Sequence, residues 1–167
     1  FGAAAWQCAP RDRWIGWSAE QRARGLSWIA NNSRFLLLPW VRVAHLATHI
    51  LAQIAQRIAA DWHRRYHHPL YLLETFVQSD RFRGTCYQAA NWVRVGQTTG
   101  RTRQNKSPVP QAPPKAVWLY PLRANWRRVR LAWRPSGKTS CIRRTLNRRC
   151  WWTVAWPWRS GGPPCGT

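Results

Sequence analysis

A repeat of large apolar residues at every fourth position, between residues 46 and 62, constrains the fold of this chain more than any other feature. An α-helix makes one turn in 3.6 residues, so side chains four apart lie on the same face. Polar residues such as Gln53 and Arg57 take the other faces. The segment 43–66 is therefore predicted to be a long amphipathic helix that ends before Pro69, because the residue before a proline is disfavoured in helical conformation. The repeating residues are Leu46, Ile50, Ile54, Ile58 and Trp62.

Short apolar runs on both sides of this helix predict β-strands. They are RFLLLPWV at 34–41, LYLLETFV at 70–77 and AVWLYPL at 116–122. A second helix is expected over 81–92, with Ser79 or Asp80 as its N-cap. Strands that alternate with helices predict an α/β domain with at least one parallel strand pair.

The first thirty residues carry one clear helix signal. Ser18, followed three residues later by Gln21, has the spacing of a capping box and predicts a short helix through Trp28. The preceding sequence RDRWIGW, at 11–17, is predicted to form a strand or a turn, with Gly16 as the breaking residue.

The charge of the chain restricts its partners. It has 27 Lys and Arg against 5 Asp and Glu, which is a formal net charge of +22. Such a charge favours polyanions, with nucleic acid ahead of an anionic membrane surface. No apolar run is long enough to span a bilayer, and the first residues lack the charged and apolar regions of a signal peptide.

Metal ligands and disulfides are not indicated by the pattern of residues. The five cysteines are widely spaced and include no CxxC pair, which predicts reduced thiols in a cytoplasmic protein. His45 and His49 lie four apart on the predicted helix, but no third ligand follows them. We therefore predict that the chain binds no metal ion.

The distribution of charged and apolar residues divides the chain near residue 133. No acidic residue follows Asp80, and after Arg123 arginine and tryptophan alternate without the period of a helix or a strand. We expect a folded domain over 1–133 and an irregular basic tail over 134–167, either frameshifted or disordered. Because the chain also begins at Phe1 and contains no Met, an inactive truncated fragment is an alternative hypothesis.

A basic segment that includes one aromatic residue has the composition of a nucleic-acid contact. Cationic side chains bind phosphates, and an aromatic ring stacks on a base. The predicted nucleic-acid-binding residues are Trp92, Arg94, Arg101, Arg103 and Lys106.

Glu74 lies inside an apolar strand and is a candidate catalytic residue. Burial would raise the pKa of its carboxyl group and suit it to proton transfer. The alternative is an ion pair with a nearby arginine such as Arg81 or Arg83. The sequence leaves both interpretations open, and with them the question of whether the protein is an enzyme.

Five segments of the sequence are distinctive as a set. They are RDRWIGW, NNSRFLLLPWV, LLETFV, RFRGTCYQAANW and VGQTTGRTR, in this order. They resemble a bacterial domain family of unknown function that includes the Druantia anti-phage protein DruA and also occurs in transposase-associated proteins. The resemblance covers about residues 1–130 and implies a role in anti-phage defence or mobile elements. Family residues precede the equivalent of Phe1, which implies an N-terminally truncated chain.

The order of strands and helices is also similar to the C-terminal half of the GNAT acetyltransferase fold, so a GNAT-like mixed sheet is expected. In that fold a [QR]xxGx[GA] loop holds coenzyme A, and Arg42 and Ala47 match its first and last positions. His45 replaces the first glycine, so we predict that coenzyme A is not a cofactor. The resemblance nevertheless implies an alternative function as an acyl-CoA N-acyltransferase, with Tyr87 as general acid and Glu74 as base.

Overall fold

A computed structural model of the chain describes residues 1–100, 112–124 and 126. These residues contain β-strands, α-helices and a short 3-10 helix at Leu26–Trp28. The strands are β1 (Gly2–Ala3), β2 (Ile29–Asn31), β3 (Leu72–Gln78), β4 (Val93–Gln97) and β5 (Lys115–Pro121). The helices are α1 (Ala9–Ile15), α2 (Ala19–Gly25), α3 (Leu46–Tyr66) and α4 (Thr85–Ala89).

The strands form one mixed sheet in the order β1-β2-β3-β5-β4. β2 and β3 are parallel, with Asn31 opposite Glu74, and α3 connects them along the chain. The other neighbouring strands are antiparallel. The predicted α/β class, with a mixed sheet, a long helix and one parallel pair, is confirmed. The likeness to acetyltransferases stays a prediction, and the predicted tail at 134–167 lies outside the described residues.

Two predicted helices begin where the sequence signals place them. α3 begins three residues inside the predicted range and ends at Tyr66, after which His67 takes a left-handed conformation with a φ of 58°. The capping box of α2 is also confirmed: the backbone N–H of Gln21 donates to Ser18 Oγ over 3.2 Å, and the Gln21 side chain accepts from the Ser18 backbone N–H over 2.9 Å.

Two N-terminal assignments were wrong. RDRWIGW contributes most of α1, because Pro10 is compatible with its first turn and Gly16, at a φ of 76°, ends it. RFLLLPWV forms no strand, because Ile29–Asn31 takes the position beside β3. The run instead leaves Leu36 and Trp40 more than two thirds exposed.

The second predicted helix is shorter than expected and begins differently. α4 covers five residues of the twelve in 81–92. Its N-cap is Gly84, at a φ of 73°, and not Ser79 or Asp80. The preceding residues turn away from the end of β3 before the helix begins.

The sheet is covered by apolar side chains on both faces. On the α3 face, Leu51 and Ile58 belong to a cluster with Leu73 and Val77 of β3. On the opposite face, here called the α1 face, Ile15 belongs to a cluster with Ile29 and Leu72. Successive residues of a strand point to opposite faces, and β3 follows that alternation. From the apolar residues of the predicted helices and of the strand 70–77 we expect a core of Leu46, Ile50, Ile54, Ile58, Leu72, Phe76 and Trp92. Of these, Ile58, Leu72 and Trp92 are buried, while Leu46, Ile50, Ile54 and Phe76 are half-buried.

A buried ion network joins α1 to the sheet on the α1 face. The side chains of Arg11 and Glu74 are both fully buried, and Arg11 Nη1 lies 2.9 Å from Glu74 Oε2. The other carboxylate oxygen accepts the backbone N–H of Ala5 over 2.6 Å, and the Ala5 carbonyl accepts from Arg11 over 2.7 Å. Asp12 also binds Arg11, at 2.8 Å, and Arg22, at 3.3 Å. Glu74 therefore has an arginine partner, as one interpretation expected, but the partner is Arg11.

We expect Glu74→Ala to destabilise the domain by about 3–5 kcal/mol, because it leaves the buried charge of Arg11 without its main counter-charge. Removing both charges with Arg11→Met and Glu74→Leu should cost less than the sum of the two single changes. Urea denaturation of Glu74→Ala, of the two single changes Arg11→Met and Glu74→Leu, and of the double variant measures both quantities.

The matched control is the exposed ion pair between Arg57 and Asp61 on α3, whose partners lie 2.9 Å apart. Arg57→Ala should cost about 1 kcal/mol or less, since solvent screens an exposed pair. Equal losses for Glu74→Ala and Arg57→Ala would contradict a stabilising role for the buried network.

Candidate functional site

The described residues enclose a cleft of about 410 Å³ at one end of the sheet. Asn32 and Ser33, which directly follow β2, form one wall, and the last residues of β3 form another. The segment 82–87 and Lys115 complete it. The cleft therefore lies at the carboxyl ends of the two parallel strands, which is where open α/β sheets bind their ligands.

Asn32 is held in the cleft wall by three hydrogen bonds. Its backbone N–H donates to the Glu74 carbonyl over 2.8 Å, which extends the pairing of β2 with β3. Its own carbonyl accepts from the Thr75 hydroxyl over 3.0 Å. Its side-chain amide donates to the Tyr87 hydroxyl over 3.2 Å. Asn32, Thr75 and Tyr87 thus form a buried polar group whose orientation is fixed.

Tyr87 contributes an aromatic ring to the floor of the cleft. It lies on α4, its ring packs edge-on against Trp92 with centroids 5.2 Å apart, and Phe35 lies 6.3 Å away. Burial raises the pKa of the Tyr87 hydroxyl, and the hydrogen bond with Thr75 opposes that effect. The hydroxyl is therefore protonated at neutral pH. Burial also raises the pKa of the Cys86 thiol, so the neighbouring cysteine is a neutral group and not a thiolate.

The charged residues that line the cleft are cations. Arg83 and Lys115 both contribute to its wall, and Lys115 is paired with Gln78 at the end of β3. The described lining includes no aspartate or glutamate. The cleft thus combines aromatic rings and neutral hydrogen-bonding groups on its floor with positive charge, which suits a ligand with a planar part and an anionic part.

The structure does not bring Glu74 and Tyr87 together. Thr75 and Tyr87 interact on the α3 face, so the side chain of the preceding strand residue, Glu74, points to the α1 face, where it meets Arg11. Burial raises the pKa of the Glu74 carboxyl, against the opposing effects of Arg11 and the Ala5 backbone amide. In these positions the two residues cannot act on the same substrate atom as acid and base.

Of the predicted nucleic-acid-binding residues, the structure describes Trp92 and Arg94. Trp92 is 4% exposed and packs in the core, so its ring is not presented to a base, whereas Arg94 on β4 is exposed. Arg101, Arg103 and Lys106 lie outside the described residues.

The residues matched to the coenzyme A loop lie at the start of α3. Arg42 is exposed, and Ala47 is half-buried in the first turn. His45 precedes the helix with a φ of 58°, a left-handed conformation that glycine adopts more readily. The backbone at this position is thus of the kind that the glycine of the motif favours, but it carries an imidazole.

Sequence reasoning missed Asn32, Thr75, Arg83 and Lys115 as site residues. The sequence Asn31-Asn32-Ser33 is typical of a turn, and Lys115 lies just before the strand predicted at 116–122. The available signal was the position of polar residues directly after an apolar strand, but the strand before Asn32 had been assigned to the wrong segment.

Within residues 1–100, 112–124 and 126, no three His, Cys, Asp or Glu side chains gather in a way that could hold a metal ion. No helix in the same residues combines the length and the apolarity that crossing a membrane requires.

Comparison with known proteins gives one match. A family model described as Druantia protein DruA matches residues 1–130 of the chain. No curated protein matches significantly, and neither does any solved structure.

Gly84 positions α4 and the cleft wall, and we expect Gly84→Ala to destabilise the domain by about 1–2 kcal/mol, because its left-handed backbone disfavours any side chain. A Cβ atom would also lie 3.0 Å from the ring of Trp118. Thermal denaturation against Gly2→Ala tests this, because a Cβ atom at Gly2 meets nothing within 4 Å. Equal melting temperatures for the two variants would contradict the expectation.

Proposed function

This chain belongs to the DruA family of Druantia proteins, and we propose that it serves anti-phage defence by associating with nucleic acid. The observation that carries the proposal is the cationic cleft at the carboxyl ends of β2 and β3. The defence context comes from the family, and the polyanionic partner comes from the charge.

The pairing of acidic side chains with arginines of the same chain supports a nucleic-acid partner. Of the five acidic residues, Asp12, Glu74 and Asp61 are already paired with arginines of the same chain. Few counter-charges are left for the 27 basic residues. A surface of that kind attracts phosphate backbones over a distance comparable to the Debye length, about 8–10 Å at physiological salt.

The cleft supports a local contact in addition to this general attraction. Arg83 and Lys115 line the same concave surface, and an arginine guanidinium presents a planar set of donors that matches phosphate geometry. Arg81, two residues before Arg83, and Arg94 on β4 are also exposed. These side chains are our proposed phosphate contacts among the described residues.

The test is a salt titration of the binding of the full chain to a single-stranded and a double-stranded oligonucleotide. Each phosphate contact lowers the slope of log binding constant against log salt by about 0.9 for duplex DNA and about 0.7 for single strands. We therefore expect Arg83→Ala and Lys115→Ala each to weaken binding. Each should also make the plot of log binding constant against log salt less steep, by the amount that one phosphate contact contributes.

Arg57→Ala is the matched control, because it removes the same charge from an exposed helix position that already pairs with Asp61. It keeps the basic tail and changes the net charge by one unit, as the test variants do. Equal effects of Arg57→Ala and Lys115→Ala on binding would show that binding depends on net charge alone, and would contradict a contact at the cleft. An intact chain without affinity for either oligonucleotide would refute the proposed function.

A further inference from the structure

We infer that the cleft binds one unstacked nucleotide of a single strand, with its base against the exposed ring of Phe82 and its phosphate at the cationic wall. The inference rests on the proposed association with nucleic acid and adds the form of the ligand. Such a ligand requires an aromatic ring for the base, polar atoms for the base edge and cations for the phosphate. The same concave surface holds all three kinds of group.

Aromatic side chains lie on two sides of the cleft. Phe35 and Tyr87 line its interior with ring centroids 6.3 Å apart. Phe82 lies at the cleft as well and is 60% exposed, with the guanidinium of Arg81 5.6 Å from the centre of its ring. Exposed aromatic rings beside cations are the surfaces on which single-stranded binders stack bases. A ring exposed to this extent is available to a ligand without unfolding the domain.

Polar atoms with fixed directions line the same cleft. The bond from Asn32 to the Tyr87 hydroxyl sets the plane of the Asn32 amide, which carries both donors and an acceptor. Asparagine amides read the edges of bases through these groups. The partly buried Cys86 supplies a neutral wall, since burial raises the pKa of its thiol. A base edge therefore meets hydrogen-bonding groups here and no negative charge.

The size and the charge of the cleft match a nucleotide better than a bare phosphate. Its volume of about 410 Å³ is within the range of small-molecule sites, roughly 300–1,000 Å³. Arg83 and Lys115 would meet the phosphate, and the open side of the cleft leaves room for the chain on either side of it. A base inside a duplex cannot reach such a cleft without leaving its stack, which favours a single strand.

The experiment uses the full chain and a short single strand with one 2-aminopurine, a base whose fluorescence falls when it stacks on an aromatic ring. We expect binding to quench this fluorescence and a fully paired duplex of the same sequence to bind more weakly. Phe82→Ala should weaken single-strand binding by about fivefold to a hundredfold and reduce the quenching. It should leave the salt slope unchanged, because it removes no cation.

Trp40→Ala is the matched control, since Trp40 is an aromatic residue that is 73% exposed and does not line the cleft. Phe35→Leu is the second test variant, and circular dichroism shows that each variant is folded. A loss of affinity and quenching in Phe82→Ala and Phe35→Leu, but not in Trp40→Ala, supports the inference. Equal losses in Trp40→Ala overturn it, because bases would then stack at many exposed rings.

The remaining outcomes separate this inference from the proposed function. One outcome is salt-dependent binding that weakens in Arg83→Ala but shows no quenching and no effect of Phe82→Ala. That outcome would overturn the inference that the cleft binds a nucleotide, and would leave the proposed association with nucleic acid intact. No binding to any strand would refute both. Displacement of the strand by deoxyadenosine monophosphate at equal concentrations would assign the cleft to a free nucleotide, and so overturn the single-strand form.

Discussion

The ion pair between Arg11 and Glu74 is the interaction on which the N-terminal part of the structure depends. One carboxylate connects β3, which carries it, with α1 through Arg11 and with the segment after β1 through the Ala5 backbone amide. Burying two charges costs roughly several kcal/mol for each ion, and the cost is offset only when their hydrogen bonds are made in good geometry. The position of α1 on the sheet is therefore coupled to the position of the first strand.

The alternation of side chains along β3 separates this network from the cleft. Glu74 points to the α1 face, whereas Thr75 joins Asn32 and Tyr87 on the α3 face. The only acidic residue of the strand is thereby removed from the cleft and neutralised by Arg11. The cleft keeps the cations Arg83 and Lys115, so the structural use of the carboxylate and the proposed contact with an anion are compatible in one short strand.

Elements that depend on local sequence were predicted well, and those that depend on distant partners were not. The α3 helix and the capping box of α2 follow from spacings of three and four residues, and both are confirmed. RFLLLPWV has the apolarity of a buried strand, but the position beside β3 belongs to Ile29–Asn31. RDRWIGW contributes Arg11 and Asp12 to the buried network from helix α1, and this contact with distant residues is one that no local pattern reveals.

By itself, the sequence determined the α/β class, the long helix and the excess of positive charge, because these depend on composition and short-range periodicity. The family followed from the resemblance of particular segments. Only the tertiary structure decided which arginine neutralises Glu74 and that Asn32, Arg83 and Lys115 share a cleft. The physical reason is the register of the sheet. Pairing β2 with β3 and β3 with β5 brings residues more than forty positions apart into contact, and the two-residue alternation of each strand then sets the face on which they meet.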